Sequence, residues 1–473
     1  MDTTRYDLIA IGSGPAGQRA AIQAARLGKR VAIVERQAVL GGVSTNTGTL
    51  PSNTLRAAIV ELTGQAKSVY GSTRGLKRKI TIDDLLWRTQ QVVEHEQNVI
   101  HDQLRRNSVD ILVGTASFLD PHTIEIVRDA GDCSVVSAEC FVVAVGTKPA
   151  RPPGVDFDDR NVFDSDGMLR LTQLPRTMTV VGGGVIGLEY ASMAAAIGVQ
   201  VTIVERRPRI LEFVDEEIAE AFSYHLRGLG VVLRLGEEVE AVRRDADCVA
   251  AIDVRSGKHL TSEVVLYTPG RKGATKDLNL DAIGVVADDR GRIAVDSEHR
   301  TAVAHIFAAG DVVGFPCLAA TAREQGRLAA LAALGQPARS LPRLLPYGIY
   351  TIPEISFVGA TERELTQDEV PYVVGVARYQ DLARGEIAGD RSGLFKLLVH
   401  AEDRHVLGIH IFGTAATELV HVGQAVIAGE LTVDYLVEAV FNVPTFADGY
   451  KVAALDACNR LDELTGGRAS SAA

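Results

Sequence analysis

The sequence has few cysteines and pairs none of them. There are five among 473 residues, and no two of them form a C-x-x-C motif or join a His/Cys cluster with the spacing of metal ligands. They are Cys133, Cys140, Cys248, Cys317 and Cys458. The pattern predicts reduced, structural thiols and no metal site.

Long apolar runs are also lacking. No stretch approaches the roughly 18 uninterrupted apolar residues of a membrane-spanning helix, so no membrane partner is expected. Residues 1–5 enter a strand-like run without the basic, apolar and small-residue regions of a secretory signal, which predicts a cytoplasmic protein. The 49 basic and 60 acidic side chains give a formal charge of −11 without a basic stripe, which argues against a nucleic-acid partner.

An internal repeat is the main feature that is present. Residues 7–36, DLIAIGSGPAGQRAAIQAARLGKRVAIVER, align with residues 178–206, MTVVGGGVIGLEYASMAAAIGVQVTIVER. Both segments read as strand, glycine-rich turn, alanine-rich helix, strand and acid. A chain of this length also exceeds what one hydrophobic core usually supports, so two to four domains are expected.

The glycines of the two copies have the spacing of dinucleotide-binding turns. In such a turn the first glycine permits the bend, the second lets backbone approach a pyrophosphate, and the third allows close helix–strand packing, while the terminal acid binds a ribose. The residues are Gly12, Gly14, Gly17 and Glu35 in the first copy and Gly182, Gly184, Gly187 and Glu205 in the second. Glycine-rich turns also occur merely to connect packed elements, but two complete copies favour two nucleotide sites.

The segments between and after the repeats suggest a modular chain. Residues 52–109 read as helical, with a basic loop at 74–79 and a core position for Trp87, and residues 110–146 read as short strands. A Pro-rich link at 147–154 predicts a domain boundary, and a strand within 301–312 delivers Asp311 at its end. Beyond a second link at Pro342 and Pro346, a mixed α/β segment leads to a polar tail, 466–473, that is expected to fray.

Four further motifs complete a resemblance. They are GGVSTNTGTLPSN (41–53), VVAVGTKP (142–149), IFAAGD (306–311) and YTIPEISFVGATE (350–362). With both turns, they make the chain resemble the pyridine nucleotide–disulfide oxidoreductases over essentially its whole length. The resemblance implies an α/β fold with two Rossmann-like dinucleotide-binding domains, glutathione-reductase-like, and a C-terminal α+β dimerisation domain in a homodimer. The expected ranges are 1–151 and 271–343 for the FAD-binding domain, 152–270 for the NAD(P)-binding domain and 344–473 for the interface domain.

The resemblance also implies roles for individual residues. FAD would be bound by Gly12, Gly14, Gly17, Glu35, Arg36, Gly41, Gly42, Gly146 and Asp311. The nicotinamide nucleotide would be bound by Gly182, Gly184, Gly187, Glu205, Arg206 and Gly270. Glu189 and Asn53 would lie near the reacting rings, although Glu189 could instead be an ordinary solvated acid at a helix start.

The reactive groups of a disulfide reductase are missing. Ser44 and Thr49 stand where the family has cysteines, and Val443, ahead of Asp448, stands where it has a proton-relaying histidine. Because only a thiolate performs disulfide exchange, disulfide reduction is excluded at this segment. What remains resembles the transhydrogenase branch of the family, in which hydride passes from NADPH through FAD to NAD⁺.

Two points stay open. Glu205 favours NAD(H), whereas Arg206 and Arg207 could pair with the 2′-phosphate of NADP(H) or could form only a solvated turn. In the family that the chain resembles, the position of Asn53 is usually a lysine, whose cation lies near the flavin and pairs with the acid matching Glu189. The alternatives are therefore an NAD(P)H dehydrogenase or oxidase that reduces a quinone, oxygen or another small molecule, and a nucleotide-binding partner without turnover.

Overall fold

The computed structural model describes residues 4–63, 81–244, 250–342 and 344–464. Cys248, the basic loop 74–79 and the polar tail 466–473 lie outside these ranges. The other four cysteines are free thiols. In the part of the chain that is described, no helix is both long and apolar enough to cross a membrane.

The first repeat is a parallel β-α-β unit at the centre of a seven-stranded sheet. Strand β1 (Thr4–Ile11), helix α1 (Pro15–Arg26) and strand β2 (Val31–Glu35) follow one another, and all five residues of β2 are buried. The other strands are β3 (Asp110–Val113), β4 (Thr115–Asp120), β5 (Thr123–Val127), β6 (Cys133–Val143) and β17 (Ile306–Ala308). The sheet order is β3-β2-β1-β6-β5-β4, with β17 also parallel to β6. The strands predicted for 110–146 are thus present.

Among the described residues, three helices lie between β2 and β3. They are α2 (Gly42–Asn46), α3 (Thr49–Thr63) and α4 (Ile82–Arg106), so the helical prediction holds but α3 begins three residues earlier than expected. The core position predicted for Trp87 is wrong, because this side chain is 63% exposed. The buried residues Ile82, Leu85 and Thr89 define the inner face of α4, and the helical period turns Trp87 away from it.

The second repeat builds a separate parallel sheet. Strand β9 (Thr177–Val181), helix α5 (Val185–Ala196) and strand β10 (Gln200–Glu205) repeat the first unit. The sheet order is β11-β10-β9-β15-β8, with β8 (Val162–Phe163), β11 (Val232–Leu235) and β15 (Val264–Tyr267). Helix α6 (Glu216–Gly228) precedes β11, and an antiparallel sheet of β12 (Val239–Arg244), β13 (Ala250–Val254) and β14 (His259–Ser262) precedes β15.

The chain passes from the first sheet to the second and later returns to the first. The two connecting segments lie side by side. Their strands, β7 (Thr147–Pro149) and β16 (Arg271–Gly273), pair antiparallel. After β17, helix α7 (Ala319–Ala333) packs directly on α1. A side chain at Gly326 would come within 2.0 Å of the Ala16 carbonyl oxygen, so the two helix backbones are in contact.

The C-terminal segment forms a five-stranded antiparallel sheet with helices. The strands, in the order β18-β19-β22-β21-β20, are β18 (Tyr347–Ile349), β19 (Glu354–Gly359), β20 (Tyr372–Arg378), β21 (Leu394–His400) and β22 (Val406–Gly413). The helices are α8 (Glu362–Gln367), α9 (Ala383–Ala388), α10 (Ala416–Ala428), α11 (Val433–Glu438) and α12 (Gly449–Leu464).

Polar contacts fix this sheet against the second repeat. The Lys396 ammonium is fully buried and lies 2.7 Å from the Asp215 carboxylate, with Glu362 as a further partner. The Ile352 amide donates to the Ser192 hydroxyl at 3.0 Å. Because a buried cation must be paired, the Lys396 contact fixes β21 to the start of α6, and the Ile352 contact fixes the segment before β19 to α5.

Candidate active site

The first glycine turn leaves an open, uncapped helix terminus. A side chain at Gly17 would come within 1.8 Å of the Gly12 carbonyl oxygen, which explains why α1 can lie so close to β1. A side chain at Gly14, in contrast, would meet no protein atom within 4 Å, and no side chain caps the helix that begins there. The free amides and the helix dipole therefore suit an anionic group such as a pyrophosphate.

The second glycine turn has the same construction. A side chain at Gly187 would lie 2.2 Å from the Gly182 carbonyl oxygen, whereas one at Gly184 would meet nothing within 4 Å. Helix α5 also begins without a side-chain cap. Helix α6, away from these turns, is capped by the Asp215 carboxylate, which shows how a side chain can satisfy the amides that α1 and α5 leave open.

A neutral hydroxyl holds the acid at the end of the first turn. One oxygen of the buried Glu35 carboxylate accepts hydrogen bonds from the Ser13 amide at 3.0 Å and the Ser13 hydroxyl at 2.6 Å. The other accepts from the Gln37 amide at 3.2 Å. A carboxylate has about four acceptor positions, so Glu35 retains one for a ribose.

A guanidinium holds the acid at the end of the second turn. The buried Glu205 carboxylate accepts from the Gly183 amide at 2.6 Å, the Arg207 amide at 2.9 Å, and Arg207 Nε and Nη2 at 2.9 and 3.0 Å. Burial alone would raise the pKa of Glu205, but the hydrogen bonds from Arg207 and Gly183 outweigh it and lower the pKa. Arg206 is exposed and has no ion pair with any described residue.

A cleft opens beside the first turn. It brings together residues of the turn, of α2 and α3, of the β6–β7 connection and of the segment after β17. The predicted residues that line it are Gly12, Gly14, Glu35, Arg36, Gly42, Ser44, Thr49, Gly146 and Asp311. Gly41 borders it and donates its amide to the Ser13 hydroxyl at 2.9 Å, and Gly17 lies in the packed face behind it.

Two of the glycines are required by close approach. A side chain at Gly42 would lie 2.8 Å from the Gly14 Cα, so this segment crosses directly over the first turn. Gly41 has a φ of 109° and would place a side chain 2.5 Å from Thr45. The segment therefore covers the turn with backbone alone, as a long phosphate-bearing ligand requires.

Asp311 lines the cleft. It follows β17, and burial raises its pKa, an effect that Arg271 and a hydrogen bond from Thr147 partly oppose. Arg271 itself donates to the Thr147 hydroxyl at 2.8 Å and pairs with Asp166 at 3.2 Å. Gly270, immediately before β16, has open space around its Cα and receives the Ala150 amide on its carbonyl oxygen at 3.0 Å.

Glu189 is a buried acid, so the reading as a solvated helix-start residue is wrong. It is 8% exposed, and its Oε1 accepts the Tyr350 amide at 2.9 Å. Burial raises the pKa of Glu189 to about 7, although the Tyr350 hydrogen bond and the charge of Arg56 lower it. A carboxyl of this kind exchanges a proton near neutral pH.

Asn53 does not contact Glu189 through a hydrogen bond. Its amide nitrogen donates to the Thr49 carbonyl oxygen within α3 at 2.8 Å. The cation closest in sequence is Arg56, one turn along the same helix, which donates to the Thr351 carbonyl oxygen at 2.8 Å and pairs with Glu354 at 3.0 Å. Arg56 thus supplies positive charge to this region from a different position than the lysine that Asn53 replaces.

Val443 carries no chemistry at the C-terminal motif. Its side chain is 66% exposed, and Asp448 lies in the short 3₁₀ turn that follows. Valine cannot relay a proton, so position 443 offers no acid for a leaving thiol.

Two family models match the chain. The one described as pyridine nucleotide-disulphide oxidoreductase matches residues 6–326, and the one described as the dimerisation domain of that family matches residues 345–454. The chain belongs to this family. The predicted fold class, α/β with a glutathione-reductase-like arrangement and a C-terminal dimerisation domain, is confirmed.

Members with high similarity span the whole chain. A soluble pyridine nucleotide transhydrogenase of Mycobacterium bovis (strain BCG / Pasteur 1173P2) is 54% identical over 462 residues, which cover 97% of this chain and 98% of the relative. A protein with the same description from Colwellia psychrerythraea (strain 34H / ATCC BAA-681) is 42% identical over 460 residues, 96% and 98% of the two chains.

Solved structures show the same fold. The HOCl-induced flavoprotein disulfide reductase RclA from Escherichia coli superimposes with a TM-score of 0.86 at 25% identity, covering 95% of this chain and 99% of that one. LpdA from Mycobacterium tuberculosis gives 0.87 at 25% identity, covering 96% and 99%. The family binds FAD and uses NAD(P)H, so this protein is a flavoprotein oxidoreductase that uses FAD and nicotinamide nucleotides.

Sequence reasoning missed three residues that this flavoprotein brings to the site. Arg56 could have been found as the next cation on the helix of Asn53. Cys317 lines the cleft, and burial raises the pKa of its thiol to about 11. Tyr347 lies within electrostatic range of Cys317, Glu189 and Asp311, and burial raises its pKa to about 12. No sequence signal marks Tyr347, because a different domain delivers it.

Proposed function

We propose that this protein is an FAD-dependent transhydrogenase that moves hydride between NADPH and NAD⁺ through the flavin, without a redox disulfide. The observation that carries the proposal is that Ser44 and Thr49, which replace the family's cysteines, both line the cleft beside the first turn. Hydroxyl groups cannot form a disulfide or a thiolate. The residues at this position therefore cannot store electrons between two half-reactions.

The remaining thiol of the cleft does not replace the missing pair. Cys317 donates to the Gly314 carbonyl oxygen at 3.1 Å. With its pKa raised to about 11, this thiol stays protonated at neutral pH and is a poor nucleophile. No second cysteine occurs among the residues that line the cleft.

FAD, when bound, would supply the chemistry of accepting and returning hydride. The chain's own residues would bind and orient the partners. The first turn with Glu35, Arg36, Gly41, Gly42, Gly146 and Asp311 would hold FAD, and the second turn with Glu205, Arg206 and Gly270 would hold NAD(H) or NADP(H). Glu189 and Asn53 would border the reacting rings. The open backbone at Gly14 and Gly184 supports both assignments.

The domain ranges form part of the proposal. Residues 1–151 and 271–343 would bind FAD, residues 152–270 would bind the nicotinamide nucleotide, and residues 344–473 would form a subunit interface. The pairing of β7 with β16 at the crossover supports this division.

We also infer a homodimer. The match to the dimerisation domain supports it, as do exposed apolar side chains of the C-terminal segment, including Val440 at 95% and Tyr435 at 50% exposure. Light scattering of the purified flavoprotein should give twice the chain mass, and a stable monomer would contradict the inference. The cytoplasmic location remains a prediction from the sequence.

Anaerobic mixing of the flavoprotein with NADPH and thio-NAD⁺ tests the function. We expect flavin bleaching followed by formation of thio-NADH, with no reduction of glutathione disulfide or lipoamide. Cys317→Ser is the matched control, because it removes the thiol of the cleft, and it should retain hydride transfer. Flavin bleaching without thio-NADH formation would contradict the proposal.

A second candidate is reduction of a quinone by NAD(P)H. This reaction takes up protons, and Glu189, with a pKa near 7, could hold one beside the site. Steady NADPH oxidation with a quinone but not with thio-NAD⁺ would favour it. Failure of either nucleotide to bleach the flavin would instead favour a nucleotide-binding partner without turnover.

A further inference from the structure

The acid of the second turn is saturated by the protein itself. All of the roughly four acceptor positions of the Glu205 carboxylate are taken, one by the Gly183 amide, one by the Arg207 amide and two by the Arg207 guanidinium. A ribose hydroxyl cannot bind Glu205 in this arrangement. The carboxylate that would select NAD(H) is therefore blocked by a cation two residues away.

The guanidinium can leave without losing an anionic partner. Arg207 Nη1 lies 3.9 Å from the Glu212 carboxylate, and both side chains are more than one-third exposed. The exchange breaks two hydrogen bonds to the buried Glu205 carboxylate, so it requires a ligand whose hydroxyl groups replace them. Departure of the guanidinium frees one acceptor position on each oxygen of Glu205, which matches the two hydroxyls of an adenosine ribose.

The guanidinium can also stay and receive a phosphate. Its contacts to Glu205 use Nε and one N–H of Nη2, which leaves three of its five N–H donors free. A 2′-phosphate would repel Glu205 alone, but Arg207 offsets that charge and presents donors from a fixed position. Arg206, with no ion pair among the described residues, is not held in this way.

We propose that Arg207 is the specificity-determining residue of the second nucleotide site: on Glu205 it admits the 2′-phosphate of NADP(H), and displaced toward Glu212 it exposes Glu205 to the ribose of NAD(H). The inference rests on the proposed function, which requires one site to accept both nucleotides in turn. One movable side chain gives the site two forms with no change of backbone.

Calorimetric titration of the FAD-loaded protein tests this assignment with two probes that lack nicotinamide. Adenosine 2′,5′-bisphosphate reports the phosphate-accepting form and 5′-AMP reports the diol-accepting form. We expect Arg207→Gln to weaken the bisphosphate by about 10- to 100-fold and to strengthen 5′-AMP by a few-fold, since a charge-assisted contact is lost and a block is removed. Arg227→Gln, the matched control, removes an exposed arginine of α6 outside both turns and should change both affinities by less than about threefold.

Glu205→Gln should shift the balance in the other direction. It should strengthen the bisphosphate and weaken 5′-AMP, because the repelling charge and the diol acceptor are lost together. The assignment is overturned if Arg207→Gln weakens both probes equally, or if Arg206→Gln produces the selective loss. Unchanged flavin content in each variant shows that the fold is retained.

The probes separate this inference from the proposed function. Neither probe can accept hydride, so selective loss in Arg207→Gln stands even if the wild-type protein fails to form thio-NADH. Hydride transfer with unaltered selectivity in Arg207→Gln would leave the function in place and remove the role of Arg207.

Discussion

The Glu35 carboxylate of the first turn is held by the hydroxyl of Ser13, whereas the Glu205 carboxylate of the second turn is held by the guanidinium of Arg207. The backbones of the two turns are otherwise alike, down to the amide two residues after each acid that donates to it. With Ser13 as its neutral partner, the Glu35 carboxylate keeps one acceptor position, which suits one permanently bound ligand. A charged, half-exposed guanidinium that moves as we propose for Arg207 would suit a site that exchanges its ligand.

The largest expected effect comes from the packed glycines. Gly17→Ala would place a methyl group 1.8 Å from the Gly12 carbonyl oxygen, and we expect it to lose FAD and about 3 kcal/mol of unfolding free energy. Gly187→Ala, with its methyl group 2.2 Å from the Gly182 oxygen, should keep FAD and lose nicotinamide binding. Flavin absorbance per protein and thermal unfolding measure both. Full flavin content in Gly17→Ala would contradict the assignment of FAD to the first turn.

The glycine that faces the ligand should act on affinity alone. A methyl group on Gly14 meets no protein atom, so Gly14→Ala should leave the unfolding of the flavin-free protein unchanged. We expect FAD affinity to fall by about 10- to 100-fold, because the methyl group would occupy the space that we propose for the pyrophosphate. Gly228→Ala in α6, also in open space but remote from the turns, is the control. Equal FAD dissociation constants for both variants would contradict this role.

The position five residues beyond the middle glycine distinguishes the two helices. On α5 this position is Glu189, which is buried. On α1 it is Arg19, which is exposed. Because the native Glu189 carboxyl binds its proton up to about pH 7 and a free one only to about 4.5, the native state binds more protons between these values. The free energy of unfolding should therefore fall as pH rises from 4.5 to 7.

Glu189→Gln should abolish that slope and be more stable than wild type above pH 7 by on the order of 2 kcal/mol. Arg19→Gln should leave the slope intact. Denaturant unfolding at a series of pH values measures both, and a slope that persists in Glu189→Gln would assign it to another group.

The smallest expected effect comes from making the first turn resemble the second. Ser13→Gly gives it the sequence of Gly182 to Gly184 and removes the hydroxyl that holds Glu35. We expect a loss of about 1 kcal/mol in FAD binding, since one hydrogen bond to a carboxylate disappears. Fluorescence titration of the flavin-free protein measures it. An unchanged dissociation constant would mean that the Ser13 amide and the Gln37 amide suffice.

The repeat and its glycines could be predicted from the sequence because they reflect local backbone needs. Spacing alone located both turns, and the structure explains each glycine by a close contact or an open approach. The sequence does not predict which of Arg206 and Arg207 contacts Glu205, because this depends on which side chain turns back toward the carboxylate. Trp87 was misjudged for a similar reason, because hydrophobicity does not say which face of α4 is covered.

The sequence also does not predict which residues from distant segments lie near Glu189. Arg56 and Tyr347 are 291 positions apart, and both act electrostatically near Glu189 only because β18 and α3 meet α5 in the folded chain. Burial raises the pKa of Glu189, and the residues before it in the sequence, Gly187 and Leu188, do not indicate that this acid is buried.

The second parallel sheet is inserted in the chain between β7 and β16, after most strands of the first sheet and before β17. This insertion sets an order for folding during synthesis. Residues 177–267, which contain β9, β10, β11 and β15, leave the ribosome before β17 and α7 exist. The second parallel sheet can therefore close while the first, begun earlier, still lacks the strand beside β6 and the helix against α1. The unit that starts the chain is the later one to be completed, and a nascent chain truncated near residue 300 would present a finished nucleotide fold next to an unfinished one.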